Sequence, residues 1–343
     1  MIAFPLASEF GAPMQDIKTT SVSMTDKSKP HRRSRGPNLG DPIFKSATFF
    51  FAMLVLAILS GIVVVLVIDS WPALHQFGPA FIWTSSWNPV TDSYGAFVPL
   101  VGTIETALIA MLIGIPFSFG MAFFLTEMCP HWLRQPIAVA IELLAAVPSI
   151  IYGIWGLFVL VPIFQKYIEP FLISTLGSVP ILGHLFQGPP IGIGVFLAGL
   201  ILALMILPFV TSVMREVFAA VPAVLREGAY GLGATRWEVV WRVVLPYSRV
   251  GVVGAVMLGL GRALGETMAV TFVIGNAHRL SLSLLAPGTT ISATLANEFT
   301  EADGELYTAS LIALGLVLFV LTFAVLAIGK RLLLRTSGKG GLA

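Results

Sequence analysis

Charge is scarce in this 343-residue sequence: Asp, Glu, Lys and Arg make up 11% of it, against 56% apolar residues, and the mean hydropathy is +0.90. Soluble domains carry about 25% charged residues, so this chain lacks the polar surface to cover a water-facing globule and reads as a membrane protein. The 20 basic and 18 acidic residues leave a net charge of +2 and no broad cationic face, which excludes nucleic acid as a partner. A single cysteine, Cys129, excludes an intrachain disulfide, a multi-cysteine metal site and an iron–sulfur cluster. His131, His184 and His278 fall on separate loops without metal-ligand spacing, so no metal or cofactor is expected. There is no G-x-x-x-x-G-K-[ST], H-E-x-x-H or G-x-S-x-G: the chain cannot bind ATP by a P-loop, and it lacks the signatures of intramembrane hydrolysis.

What is present is a set of long apolar runs. A helix needs about 20 predominantly apolar residues to cross a bilayer, and six stretches qualify: residues 46–68, 99–126, 137–164, 191–214, 247–274 and 308–329. The first and fourth are uncharged. The second carries Glu105 near one end, the third carries Glu142, and the fifth holds Arg262 and Glu266 in its interior. Residues 171–186 are apolar but short and broken by Gly and Pro, and read as an interfacial or re-entrant piece. Pro116, Pro148 and Pro208 fall inside spans, where they either kink helices at moving parts or are ordinary transmembrane prolines. The expected class is an all-α integral membrane protein with six transmembrane helices.

Six spans put both termini on one side. Of the Lys and Arg residues only Lys166 and Arg279 fall on the other side, with Arg262 inside a span, so both termini are expected in the cytoplasm. Residues 1–45 are polar, with the cluster His31-Arg32-Arg33-Ser34-Arg35, and no apolar segment follows an early positive charge; they are expected to be a disordered cytoplasmic tail and not a cleaved signal peptide, with Met24 as an alternative start. The expected organisation continues with a first transmembrane helix (46–68), an extracytoplasmic loop (69–98), a five-helix core (99–330) containing a coupling segment (221–246), and a second cytoplasmic tail (331–343). Trp71, Trp83, Trp87 and Tyr94 crowd the outer loop, as an aromatic belt or as a docking surface for a binding protein.

Two places carry candidate chemistry. The segment from Val221 to Pro246 is too polar to span and reads as two short helices broken around Gly231 and Gly233. It either lies on the membrane surface as an amphipathic loop or presents Arg226, Trp237 and Trp241 to a partner. In the fifth run, Arg262 and Glu266 are four residues apart, so on a continuous helix they share a face and can pair near the midplane. Gly259, Gly261 and Gly265 leave space beside them for a neighbouring helix or a water-filled path. The pair is either a structural ion pair or a site where Arg262 offers a bidentate fork to a passing anion, with Glu266 neutralising it when the path is empty.

The spacing in the first of these places resembles the motif of ATP-binding-cassette importer permeases: Glu-Ala-Ala, three residues, Gly, nine residues, Ile, any residue, Leu-Pro. Glu227, Ala229, Gly233, Leu245 and Pro246 match with every interval kept, while Gly228 and Val243 replace the second motif residue and the Ile. Further stretches resemble the phosphate-importer permeases of the PstC type: Trp87-Asn88-Pro89 with Gly95, Pro99, Gly102 and Thr103; residues 144–156; Gly233 to Glu238; and Gly261 to Val270 (GRALGETMAV). The resemblance implies a MetI-like fold of type I importers in the bacterial cytoplasmic (inner) membrane. It implies a coupling role for Glu227, Gly228, Ala229, Gly233, Arg236, Trp237, Leu245 and Pro246, and a substrate path past Arg262, Glu266 and Thr267. The implied partners are a homologous PstA-like permease subunit, a PstB-like ATPase dimer and a PstS-like phosphate-binding protein. A permease for sulfate, molybdate or phosphonate is the nearest alternative, and a stand-alone anion channel or carrier the next.

Overall fold

In the computed structural model, residues 40–180 and 182–337 are described; most of the tail expected up to Lys45, and the residues after Ser337, lie outside them. The chain divides at Ala57 into two units. The described part of the first is the opening half of α1 (Gly40–Phe77), and the second holds everything from Ile58 onward. Among the described residues the protein is all-helical, with two isolated β-bridges.

Among the described residues, six helices are long and apolar enough to cross a membrane. They are α1 with the 3₁₀ turn that follows it, α2 (Phe97–Met128), α4 (Ser149–Thr175), α5 (Val195–Ala219), α7 (Arg236–Leu264) and α10 (Glu305–Ser337). Four shorter helices intervene: α3 (His131–Ala145), α6 (Ala223–Gly231), α8 (Met268–Thr271) and α9 (Ile291–Glu298). The first helix begins before Ser46 and continues past Ile68 into what the sequence reads as loop, with Pro72 inside it.

The centre of the second unit is α5. Its apolar residues run all round the helix, the pattern of a helix buried on every side, and Leu197, Ile201, Leu202, Ile206, Met214 and Phe218 are fully buried. Against it packs α2, whose small residues Ala107, Ala110, Gly114 and Ser118 recur at helical spacing and let the backbones approach closely. The Ser118 hydroxyl donates to the Leu207 carbonyl across this contact, at 3.1 Å. On α5, a Cβ at Gly199 would stand 2.6 Å from Ile109 Cγ2, so that glycine is dictated by the packing. A second core joins the end of α1, the 81–96 loop, α9 and α10 through Phe81, Tyr94, Ile291, Tyr307 and Leu311.

Two further spans, the third and the fifth, begin and end elsewhere than the hydropathy suggests. The third apolar run is two helices: α3 stops at Ala145, and α4 starts after Pro148, whose own φ of −57° and ψ of 136° lie outside the helical region. Glu142 therefore belongs to α3, where it pairs with Arg215 of α5 at 2.7 Å. The membrane-crossing helix extends to Thr175, absorbing the start of residues 171–186; residues 182–186 form a short 3₁₀ turn. The fifth span starts at Arg236 and ends at Leu264. Pro246 does not break it, because the preceding π-turn (Val240–Val244) sends the Leu245 N–H to the Val240 carbonyl and widens the backbone where a proline ring would otherwise clash.

Candidate functional site

At one end of the bundle, α5 gives way to α6 through Val221 and Pro222, and α6 carries Glu227, Gly228 and Ala229. The helix stops by local chemistry. Gly233 takes φ +86°, its N–H bonds the Tyr230 carbonyl at 2.9 Å, and the Ala234 N–H reaches back to the Ala229 carbonyl at 3.1 Å. These two bonds make a Schellman motif, and Ala229 and Ala234 both pack against the main core. Nothing lies within 4 Å of a Cβ built at Gly233, so glycine is required there by backbone conformation and not by a clash. The next residue but one, Thr235, opens α7 with a capping box: its Oγ1 accepts from the Glu238 N–H at 3.4 Å, and its own N–H donates to Glu238 Oε2 at 3.0 Å. The six residues Gly233 to Glu238 thus end one helix and start another.

The expectation of two short helices is met only by α6, since Arg236, Trp237, Leu245 and Pro246 all belong to the first turns of a transmembrane helix. Glu227, Gly228, Arg236, Trp237 and Pro246 are exposed, with Ala229 and Leu245 half-buried. Exposed apolar side chains surround them, Val224, Leu232 (91% exposed), Trp237 and Trp241 among them. Trp237 and Trp241 also meet each other edge to face and lean on Phe123 and Phe119 of α2. Arg226 is not part of this outward surface. It turns inward to Glu127 at the end of α2, Nε to Oε1 at 3.3 Å, and donates from Nη2 to the Phe218 carbonyl of α5.

The Arg262–Glu266 pairing is overturned. The α7 helix ends at Leu264 with Gly265 as its cap, so the four-residue spacing no longer places the two side chains on one face. Among the described residues no ion pair joins them. Glu266 turns forward, its Oε1 accepting from the Ala269 N–H at 3.3 Å at the start of α8. Arg262 is exposed, with its guanidinium 5.8 Å from the ring centroid of Phe209 on α5, and Tyr152 near the start of α4 lies within its electrostatic reach. Thr267, half-buried, continues the break, with its carbonyl accepting from the Thr271 hydroxyl at 2.7 Å. Of the three glycines nearby, Gly259 is pressed against Val210 of α5 and Gly261 faces Leu326 of α10, so both serve helix packing. The arrangement is a cation held by an aromatic face where one helix stops and the start of another comes close. An exposed guanidinium with its fork free of carboxylate suits a planar or tetrahedral oxyanion.

The profile of the family described as "Binding-protein-dependent transport system inner membrane component" matches residues 114–337, which hold both places. The chain belongs to that family. Among relatives, it is 58% identical over 303 residues to the phosphate transport system permease protein PstC of Mesorhizobium japonicum, covering 88% of this chain and 93% of the relative. The protein of that name from Pasteurella multocida is 55% identical over 87% of this chain and 93% of its own length. The probable PstC of Methanocaldococcus jannaschii is 40% identical over 76% and 83%. Among solved structures, a chain of a bacterial alginate ABC transporter superposes with a TM-score of 0.54 at 16% identity, covering 84% of this chain and 95% of that one. A chain of the MetNI methionine ABC transporter gives 0.51 at 16% identity over 73% and 99%. The fold is that of type I importer permeases, as the sequence motifs imply.

In this permease the other end of the bundle holds a polar centre that sequence spacing did not reveal. Glu298, at the end of α9, receives the Trp87 Nε1–H at 2.7 Å, the Tyr307 hydroxyl at 2.7 Å and His278 Nε2 at 2.7 Å. Trp87 stacks on the His278 ring at 5.4 Å, and Tyr94 stacks on Tyr307 at 5.3 Å. Burial opposes the charge of Glu298, but the hydrogen bonds from His278, Tyr307 and Trp87 outweigh it and hold the carboxyl below its ordinary value. Burial, with Asp92 beside it, pushes the Tyr94 phenol up to about 12. Tyr94, buried, and Trp87, half-buried, therefore tie the loop to α9 and α10, while Trp71 and Trp83 remain exposed.

Proposed function

We propose that this chain is a permease subunit of an ATP-driven importer of inorganic phosphate, non-catalytic itself and coupled to separate ATPase subunits. The observation that carries the reading is α6, a short helix fixed by a Schellman turn and a capping box that offers Glu227 and an apolar surround outward at one end of six spans. A channel or an ion-coupled carrier has no use for such a dock. Motion of the ATPase pair would displace α6, and with it the spans, between inward- and outward-open states.

The substrate reading rests on the relatives' name and on Arg262. Because Arg262 and Met268 are exposed while their neighbours Ala263, Leu264, Ala269 and Val270 are buried in the core, the two side chains face away from this chain's own packing, and the path is completed by a second, PstA-like permease subunit. A PstS-like binding protein delivers phosphate to the end opposite α6, and a PstB-like ATPase dimer seats α6 on the cytoplasmic side of a bacterial inner membrane, where both termini also lie. The test is uptake of labelled phosphate by the assembled importer in the presence of excess sulfate, molybdate or phosphonate. The reading requires that unlabelled phosphate compete and that the others do not. Equal competition by sulfate or molybdate would reassign the substrate.

A further inference from the structure

Arg226 and Glu127 have no role in the docking surface or in the path, yet they form a buried ion pair. Glu127 is 7% exposed and Arg226 21%, next to the exposed surface of α6 but beside the buried Leu125, Phe218 and Val221. On α6 the neighbouring Glu227 points outward while Arg226 points into the bundle, as the roughly 100° step between successive helical residues requires. Among the described residues, Arg226 provides the only side-chain hydrogen bond or ion pair from α6 to the rest of the chain.

Its two partners lie on different spans. Glu127 sits in the π-turn Phe124–Met128 that ends α2, and Phe218, in the last turn of α5, offers Arg226 a carbonyl that also accepts from the Val221 N–H. The same π-turn is held to α3, because Arg134 Nη2 donates to the Thr126 carbonyl at 3.0 Å.

We propose that the Arg226–Glu127 pair is a positioning device that transmits displacement of α6 to the adjoining ends of α2 and α5. This rests on the reading of α6 as the ATPase dock and names the contact through which that dock acts. A carboxylate buried to this extent is costly to leave without its cation. When α6 moves, the pair therefore stays joined, and the end of α2 and its tie to α3 move with it. The Schellman turn carries the same displacement to α7 along the backbone.

The test uses the complete assembly in vesicles, reading phosphate uptake and ATP hydrolysis together. Glu127→Gln should lower the phosphate taken up per ATP hydrolysed by about tenfold, while hydrolysis stimulated by the binding protein stays within about twofold of the unaltered assembly. Restoring the pair in reverse, Glu127→Arg with Arg226→Glu, should recover most of the lost ratio. An unchanged ratio in Glu127→Gln would overturn the proposal, as would a fall of uptake and hydrolysis in parallel, which marks a dock that no longer binds. If the single variant fails to assemble, the reversed pair decides alone: recovery of assembly and uptake supports the device, and failure to recover overturns it. Absence of ATP-dependent uptake in the unaltered assembly would instead defeat the docking reading, before any variant is made.

Discussion

Arg262 rests on the face of Phe209, 5.8 Å from the ring centroid, and not on Glu266 four residues ahead. The helix that would have aligned the two carboxyl and guanidinium groups stops at Leu264. Each charged residue therefore has its own surroundings: an aromatic ring and open space for the arginine, a backbone N–H of α8 for the glutamate.

Independence of the two sites has a measurable consequence. Arg262→Gln should reduce phosphate uptake to background, since a neutral amide offers an anion neither charge nor a guanidinium fork. Glu266→Gln should have a smaller effect, and the double variant should be no better than Arg262→Gln, because sites without a shared partner combine additively. Uptake restored by the double variant to near its original level would mean that the two charges are coupled after all.

Gly233 should tolerate substitution in space but not in conformation. Its φ of +86° costs a residue with a Cβ about 1–2 kcal/mol, so Gly233→Leu should loosen the turn between α6 and α7, and Gly233→Asn should do so less. Membrane insertion should be unaffected, while stimulation of the ATPase by the binding protein falls in the same order. Full stimulation in Gly233→Leu would show that the turn is dispensable.

The six spans and the docking pattern were legible in the sequence because length, hydropathy and the fixed spacing from Glu227 to Pro246 are local properties. The turn at Gly-Ala-Thr-Arg-Trp-Glu is likewise written in local chemistry. Pro148 was legible as a candidate kink but not as the gap between two helices, and the stop at Gly265 was not legible, since hydropathy does not register where a backbone breaks. That is why the third and fifth runs were placed differently, and why Arg262 and Glu266 looked paired. Glu298 with His278 and Trp87, and Arg226 with Glu127, join residues far apart in the chain, and no spacing rule brings such partners together. The glycine at 259 gave the opposite outcome: its smallness was legible, and its use proved to be packing against Val210.

The Glu298 centre should make stability fall in acid. Its folded-state pKa lies below the ordinary 4.5, so the stabilisation it provides is complete above that value and disappears as pH falls through the folded pKa. Thermal unfolding of the detergent-solubilised permease at a series of pH values should show this loss, and Glu298→Gln should flatten the acid limb. Trp87→Phe, which removes one donor to the carboxylate, should cost about 1.5–3 kcal/mol near neutral pH. An acid limb identical in Glu298→Gln and the unaltered protein would assign the sensitivity to other groups.

The account stands most directly on whether phosphate movement through this chain requires ATP hydrolysis in another. Vesicles would hold either this chain alone or this chain with its companion permease, ATPase subunits and binding protein, and labelled phosphate uptake would be followed with and without ATP at the face of the ATPase. The account predicts uptake only in the complete assembly and only with ATP. Uptake by this chain alone, or uptake by the assembly that is indifferent to ATP, would contradict it.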